Sequence, residues 1–489
     1  MKFKKLAPIF LFAFLFVGIF LRLYKTAKIP FSDWDEGIYA QVAKEILQNH
    51  SLDTTFNGHV WLNKPPLSHL LIAISFKLFG FSEFAARAIF ALFGTLTLVL
   101  LYLLSKKTLS SLLKIKNSHL ALLPSLILVS TPIFLERSTT LNTDIIIAAS
   151  YLGYFLFLNN FFLKTSFLLL GVYSKSLVGF FPLFIEPILW LQKKLDFKTF
   201  VKNALTLIFQ IFLASLWYFY AFAKHGKYFI KAHFLDQIFK RVAAPIELHF
   251  GNKWYYFKLL WENLNWLSII LALSVFVVLI DFVKLLLKEK LTSVKDKRFV
   301  FFSILLSPLA FFALLVLGKS KIYWYLLFIL PLFLLSFSYA FARLPRDYRF
   351  LVLLPILLFS LWQFTKHTFF FRPNYEINEK IKLARCIKKS NYQSLAVLLE
   401  KPEREIRKVV EDSNLYTETT FIYGGSPSFV FYSGKKVKFF YDPKKFVLEY
   451  SIFPILLFQK QDELDLNFDL SAYNEICKIG KWRVMEDGK

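Results

Sequence analysis

The sequence is poor in cysteine and in acidic residues. Only two of its 489 residues are cysteines, Cys386 and Cys477, and their separation is not that of a metal site. A cysteine-rich metal or disulfide framework is therefore excluded, while one disulfide between these two residues and a pair of unpaired thiols both stay open. Aspartate and glutamate number 34 against 60 lysines and arginines, which gives a formal net charge of +26.

Apolar residues make up more than half of the sequence. Hydrophobic residues make up 56% and aromatic residues 19%, including 60 phenylalanines, so the chain is far more apolar than a soluble domain. The lysines and arginines cluster in short segments between apolar runs, which is typical of cytoplasmic loops and not of a nucleic-acid surface. We therefore predict a polytopic α-helical membrane protein with no nucleic-acid partner.

The apolar runs predict about 11 to 13 transmembrane helices. The first run resembles a signal peptide but is long, rich in phenylalanine and without a small-residue cleavage site, so we expect it to be retained as a helix. Residues 166–191 are apolar but interrupted by YSKS, which predicts two short helices with Lys175 at their outer junction. The other runs of spanning length lie near residues 6–24, 84–105, 119–135, 141–163, 199–223, 264–287, 299–317, 322–341 and 348–366.

The positions of the basic loops predict which side of the membrane each loop occupies. The apolar segment 65–80 offers only about 14 residues after Pro66, roughly 21 Å of helix, so we expect it to lie on the membrane surface. All basic loops then fall on one side, as the positive-inside rule requires, whereas a spanning segment would place Lys106 to Lys116 outside. The N-terminus is therefore predicted to be cytoplasmic, in the cytoplasmic (inner) membrane.

This topology predicts two domains. Residues 1–371 form the transmembrane domain, in which the outer loop 25–83 carries two interfacial helices. Residues 372–489 form a small soluble α/β domain on the periplasmic or extracellular face, because a polar helical pattern alternates there with strand-like runs and glycine turns.

Three acids, Asp33, Asp35 and Glu36, open the outer loop where the chain leaves the membrane. From Asp35 onward apolar residues recur at helical spacing, which predicts an amphipathic surface helix. Capping that helix is the simplest role for an aspartate here, and we prefer it for Asp33.

Other charged residues are predicted to lie on the same outer face as Asp35. Lys64 precedes two prolines in the same loop, and the next outer loop contains Arg137 and Asp144. An ionisable residue such as Asp144 at a membrane boundary is costly unless it faces a polar cavity. Carboxylates with cations suit a transfer reaction on a phosphate-bearing amphiphile, since the cations hold the phosphate and a carboxylate takes a proton. The alternative is that Arg137 and Asp144 form a structural pair.

Several segments together resemble GT-C-fold glycosyltransferases that use polyprenyl-phosphate sugars. The resemblance is to the aminoarabinose lipid A transferase branch and, more distantly, to protein O-mannosyltransferases, and it covers nearly the whole chain. The segments are DEGIYAQVAKEIL, NKPPLSHLLIAISFKLFG, SEFAARAIFALFGTL, ERSTTLNTD, GVYSKSLVGFFP and SPSFVFYSGKKV.

The resemblance implies transfer of a sugar from a polyprenyl-phosphate donor to an acceptor hydroxyl or phosphate. In-line attack would invert the anomeric centre, and lipid A, another glycan and a protein are all chemically acceptable acceptors. The resemblance also implies Asp35 as the general base, with Glu36 and Asp144 as supporting catalytic residues. The positions that match the family's phosphate-binding residues are Lys64, Arg137, Lys175, Arg241, Lys321 and Tyr325.

Departures from the family concern a metal ion. Many relatives have glutamate where this chain has Asn63 and histidine where it has Ile238, and both are candidate metal ligands in relatives that bind a divalent ion. These changes argue against a metal here; Asp35 and Asp144 are the ligands expected if one is bound. His225, His233 and His249 are expected to be structural, and Ser176 replaces the family's usual glycine after Lys175.

Two other classes of function are compatible with polar groups in a membrane protein. A lipid or sugar transporter (flippase) would place its binding residues near the midplane on broken helices, where Lys175 could lie. A binding protein on a decayed transferase scaffold would act through its soluble tail. Because the polar residues cluster on one face and Asp35, Lys64, Arg137 and Asp144 are all present, the sequence favours an enzyme.

Overall fold

The computed structural model describes two compact units, each formed by several segments of the chain. The helical unit comprises Met1–Thr26, Arg87–Lys227 and His249–Arg372, and the mixed unit comprises Ala27–Ala86, Tyr228–Leu248 and Pro373–Lys489. The structure describes residues 2–115, 119–191, 197–245, 247, 249–289, 296–373, 378–405, 422–466 and 468–488.

Eight helical segments within the described residues are long and apolar enough to cross a membrane. This confirms the polytopic membrane fold, because a helix of about 20 apolar residues satisfies its own backbone groups across a bilayer. The segments are Pro8–Thr26, Glu83–Leu113, Phe161–Trp190, Phe197–Ala243, Leu267–Leu287, Arg298–Leu317, Tyr323–Arg343 and Asp347–Thr368.

Two predicted spans are shorter in the structure. The run 119–135 is divided into a 3-10 turn at His119–Leu122, a helix at Leu123–Ser130 and a short helix at Pro132–Arg137. The division falls at Thr131, whose extended backbone precedes Pro132, as expected for a residue before proline. The run 141–163 contains a helix only at Thr143–Leu156, which Asn142 caps by accepting a hydrogen bond from the backbone amide of Asp144.

The predicted break at Lys175 is confirmed. A helix at Phe161–Lys175 ends there, and a 3-10 segment, Ser176–Phe184, leads into the next helix at Ile185–Leu191. Ser176 adopts φ 64°, in the region that favours glycine. The glycine that the resemblance implies at this position would adopt this φ without strain.

Residues 25–83 contain the two helices predicted there, at Asp35–Asn49 (α1) and Leu67–Phe79 (α2). A two-stranded hairpin between them pairs Thr55–Phe56 with His59–Val60 around Asn57 and Gly58, both at positive φ. The buried carboxylate of Glu45 accepts hydrogen bonds from Thr55 Oγ1 (2.6 Å) and from the Asn57 amide (2.5 Å). The hairpin is therefore fixed to α1 by a carboxylate in the helix.

The C-terminal segment forms the predicted α/β fold around a five-stranded sheet. Strands β1 (Ser394–Leu398), β2 (Lys436–Phe440) and β3 (Ile455–Gln459) are parallel, and β4 (Tyr473–Ile479) and β5 (Trp482–Asp487) add antiparallel partners in the spatial order β2-β1-β3-β5-β4. Short helices lie at Glu379–Ile387 (α3), Pro427–Ser433 (α4), Pro443–Glu449 and Lys460–Leu466. The core contains Phe440, Phe446, Leu456, Phe458 and Met485.

Candidate functional site

The turn Ser32–Asp33–Trp34 leads into α1 with an unusual backbone. Trp34 precedes the first helical residue and adopts φ 68° and ψ −122°, a backbone conformation that residues other than glycine rarely adopt. The buried carboxylate of Glu36 holds the turn from inside, accepting hydrogen bonds from Ser32 N at 3.0 Å and Ser32 Oγ at 3.1 Å. Glu36 thus has a structural partner in addition to the supporting role predicted for it.

Asp33 caps a helix, but not the one that follows it. Its carboxylate accepts hydrogen bonds from Ser428 N (3.1 Å), Ser426 Oγ (3.1 Å) and Ser428 Oγ, at the beginning of α4. Ser426, the cap residue of α4, accepts no hydrogen bond from the backbone of its own helix. Asp33 therefore stabilises a helix almost 400 positions further along the chain.

Asp35 is the first residue of α1, and the cap position belongs to Trp34, which has no side-chain cap bond. The Asp35 carboxylate is about one-third exposed, and its Oδ1 lies 3.9 Å from Lys64 Nζ. Lys64 donates a hydrogen bond to the Tyr39 hydroxyl and lies 4.5 Å from the centre of the Tyr39 ring. The structure thus brings together Asp35 and Lys64, as predicted, and adds Tyr39.

Sequence reasoning missed Tyr39, although its spacing contains the signal. Tyr39 follows Asp35 by four positions, so both side chains lie on the same face of α1. Tyr39 is buried on that face and Asp35 is partly exposed, so the carboxylate lies at the edge of an aromatic core.

His69 lies in this aromatic core and was also missed. Its ring meets Tyr39 edge-to-face at 5.1 Å and Trp61 at 4.9 Å. Burial lowers the pKa of His69 to about 3, and the positive charge of Lys64 acts in the same direction. His69 is therefore neutral at physiological pH and packs against Tyr39, which also contacts Lys64.

Asp144 and Lys175 form a buried ion pair in the helical unit. Asp144 lies in the first turn of the helix Thr143–Leu156, and Lys175 is the last residue of the helix Phe161–Lys175. The ammonium lies 4.5 Å from the ring centre of Tyr325 and 5.5 Å from that of Phe328. Three predicted site residues, Asp144, Lys175 and Tyr325, therefore meet in one cluster.

Arg137 has aromatic and acidic partners of its own. Its guanidinium lies 4.6 Å from the ring centres of both Tyr323 and Trp324, and it pairs with Glu136 at 3.2 Å. Tyr323 also donates a hydrogen bond to Glu136 Oε1 at 2.5 Å. Arg137 and Asp144 thus have different partners, so the alternative of a structural pair between them is not what the structure shows.

The side chain of Lys321 is hydrogen-bonded to backbone carbonyls. Its ammonium donates hydrogen bonds to the carbonyls of Leu315 (3.0 Å), Val316 (2.6 Å) and Gly318 (2.5 Å), at the C-terminal end of the helix Lys297–Leu317. Burial lowers its pKa. An ammonium has three donors, so these bonds use the full donor capacity of the side chain.

Arg241, in the mixed unit, pairs with Glu247 at 2.8 Å and donates to Gln237 Oε1 at 3.2 Å. It is half-buried, and its guanidinium is neutralised by a carboxylate in this structure. Its predicted phosphate-binding role would require the phosphate to replace or join Glu247.

The residues present do not fit a divalent metal. The Asn63 side chain, which stands where relatives have a candidate metal-binding glutamate, is a neutral amide. Its Nδ2 donates a hydrogen bond to the Tyr423 hydroxyl at 3.1 Å. His233 is buried with its Nδ1 2.8 Å from the Leu62 carbonyl. Within the described ranges, no three histidine, cysteine, aspartate or glutamate side chains form a group that could hold a metal ion. We therefore derive no step through a metal.

Comparison with known proteins gives a family match for about one third of the chain. Residues 63–219 match the family model for dolichyl-phosphate-mannose-protein mannosyltransferase. Two proteins of Aquifex aeolicus (strain VF5), both described only as uncharacterized, are similar: one is 30% identical over 43% of this chain, the other 28% identical over 64%. The chain aligns with 43% of the first relative's length and 69% of the second's.

Solved structures match over almost the whole chain. ArnT from Cupriavidus metallidurans bound to undecaprenyl phosphate superposes with a TM-score of 0.65 at 13% identity, covering 98% of both chains. The apo form of the same protein gives a TM-score of 0.66 with the same identity and coverage. The predicted resemblance is thus confirmed for the fold, which this chain shares with ArnT.

Proposed function

We propose that this chain is a membrane glycosyltransferase that moves a sugar from a polyprenyl-phosphate carrier to an acceptor hydroxyl or phosphate. The ArnT fold and the mannosyltransferase family match over residues 63–219 support this class. One crystal structure with this fold is bound to undecaprenyl phosphate, which supports a carrier of that chemistry.

The observation that carries the catalytic assignment is the environment of Asp35. A carboxylate in the first turn of a helix usually stabilises that helix. The Asp35 carboxylate is in addition about one-third exposed, so that a substrate can reach it, and it lies 3.9 Å from the Lys64 ammonium. Its neighbours Asp33 and Glu36 accept hydrogen bonds from serines, so they are occupied structurally. Asp35 is therefore the acid of the three that is placed to accept a proton from a substrate.

The proposed reaction is a single in-line displacement. The acceptor oxygen attacks the anomeric carbon, the bond from that carbon to the carrier's phosphate oxygen breaks, and the polyprenyl phosphate leaves with the bonding electrons. The proton of the acceptor hydroxyl passes to Asp35. Attack from the side opposite the leaving group inverts the anomeric centre.

Cations are required because negative charge develops on the leaving phosphate. We assign this role first to Lys64, beside Asp35, and to Arg137 and Lys175, with Tyr325 packed on the Lys175 ammonium. Lys321 is assigned a structural role because its donors bind carbonyls, and Arg241 contributes only if phosphate competes with Glu247.

We place the reaction on the outer face of the cytoplasmic membrane. Nucleotide sugars are absent there, so an activated sugar must arrive on a lipid. Lipid A, another glycan and a protein are the acceptor classes to be tested.

The direct test is incubation of the purified protein with a panel of polyprenyl-phosphate sugars and candidate acceptors, with release of the carrier as readout. Carrier release that depends on an acceptor supports the proposal. Transport of the intact donor across a proteoliposome bilayer, without carrier release, would instead establish the transporter alternative.

A further inference from the structure

The only two cysteines of the chain lie next to each other in the mixed unit. Cys386 is on α3 and Cys477 is on β4, which packs against that helix. The Cys386 thiol is hydrogen-bonded with Cys477, and its Sγ lies 4.0 Å from the carbonyl oxygen of Ile476, the residue before Cys477. Both side chains are partly exposed, so an oxidant can reach them.

We propose that Cys386 and Cys477 form a disulfide that ties α3 to the edge strand β4. One thiol attacks the disulfide of a thiol–disulfide oxidoreductase, and the second thiol resolves the mixed disulfide. Two thiols become one disulfide, and the oxidant's disulfide becomes two thiols, so electrons and protons balance.

The bond is structural and not catalytic. Redox-active dithiols have a thiol of low pKa. Burial, followed by the hydrogen bond with Cys477, raises the pKa of Cys386 to about 12. The bridge closes a loop of about 90 residues, which restricts the unfolded chain strongly.

The experiment uses the full-length protein, alkylated in intact cells before lysis and analysed by peptide mass spectrometry. The expected result is one linked peptide pair, no alkylation before reduction, and alkylation of both cysteines after it. Reduction should lower the melting temperature of the wild type by several degrees and leave Cys386→Ser/Cys477→Ser unchanged. Full alkylation of both residues, persisting after incubation with oxidised glutathione, would overturn the proposal, as would disulfides between chains.

A different observation supports a second inference about the turn before α1. Asp33 binds the beginning of α4 through Ser426 and Ser428, and Phe31 N donates to the Tyr432 hydroxyl at 2.7 Å. At Gly37 a Cβ atom would lie 2.5 Å from Ser428 N, so the two helices touch at their backbones.

Trp34, between Asp33 and Asp35, has a backbone conformation that persists only when its surroundings hold it. Asp33 is held by α4, and Glu36 is held by Ser32. The direction in which Asp35 leaves the turn is therefore determined by two anchored neighbours.

We infer that α4 positions Asp35 for catalysis, with Asp33 and Ser428 as positioning residues. This inference rests on the proposed function. It assigns a role to the segment SPSFVFYS, which the chemistry of transfer otherwise leaves unexplained.

The test compares Asp33→Ala with Asp33→Asn, because asparagine keeps an acceptor oxygen for Ser428 N. Asp33→Ala should lower kcat at least tenfold at unchanged donor KM and displace the pH profile of kcat, and Asp33→Asn should restore most of the activity. Gly37→Ala, which separates the helices and leaves Asp33 intact, should lower kcat similarly.

Hydrogen exchange at residues 34–38 provides a readout that is independent of activity. Exchange should accelerate in Asp33→Ala and not in Asp33→Asn. If the wild type transfers sugar and Asp33→Ala does so equally well with the same pH profile, the positioning role is wrong and the function stands. If the wild type transfers no sugar, the proposed function fails, and unchanged exchange in Asp33→Ala would then reject the anchoring as well.

Discussion

The ammonium of Lys175 pairs with the carboxylate of Asp144 inside the helical unit, where the two side chains are only 8% and 2% exposed. Removing one partner of such a pair leaves an uncompensated buried charge, which is far more costly than removing both.

Lys175→Met should therefore destabilise the protein by about 3–5 kcal/mol. The double variant Asp144→Asn/Lys175→Met should recover most of that loss while remaining inactive in sugar transfer. Thermal unfolding in detergent and carrier release measure the two effects. A double variant as unstable as the single one would show that the pair does not balance charge.

Arg137 should not be replaceable by lysine. Lysine keeps the charge but loses the planar group that lies against Tyr323 and Trp324. We expect Arg137→Lys to reduce kcat/KM for the donor about tenfold, equivalent to about 1.4 kcal/mol. Arg298→Lys, at a half-exposed arginine paired with Asp296, is the matched control and should retain full activity. Equal activity of both variants would remove Arg137 from the site.

Lys321 should behave as a cap and not as a phosphate ligand. Because its ammonium binds three carbonyls, Lys321→Met should lower stability by about 1–3 kcal/mol. The donor KM should change little, in contrast to Lys64→Met, for which it should rise. A raised donor KM with unaltered melting in Lys321→Met would favour the role expected from the sequence.

His69 should make stability depend on pH below neutrality. Its pKa is about 3 in the folded protein and about 6.5 in the unfolded chain. The unfolded state therefore binds one more proton between these values, and stability falls with decreasing pH by about 1.4 kcal/mol per unit from pH 6.5 downward. His69→Gln should reduce this slope, and the exposed His59→Gln should retain it. Identical slopes in all three proteins would contradict the assignment.

Local patterns in the sequence predicted the features that depend on neighbouring residues. The start of α1 at Asp35 follows from helical periodicity, the break at Lys175 from an interrupted apolar run, and the short helix α2 from the length of the apolar segment after Pro66. Each of these is determined within one or two turns of chain.

Partners that are distant in sequence could not be predicted in this way. Asp33 was expected to act locally, yet it caps α4, because only the folded mixed unit brings Ser428 to it. The partners of Lys321 lie only 3 to 6 positions away, but they are backbone carbonyls, which every residue carries, so no sequence pattern marks them. The partners of Arg137 were not predicted either, because Tyr323 lies 186 positions away.

Asp35→Asn is the most direct test of the account. The substitution keeps the size of the side chain and removes its capacity to take a proton, and Glu262→Gln, at a half-exposed acid, is the matched control. With a donor and an acceptor that the wild type uses, release of polyprenyl phosphate should fall by about 100-fold or more in Asp35→Asn, with unchanged melting. Wild-type release by Asp35→Asn would contradict the assignment of Asp35 as the general base.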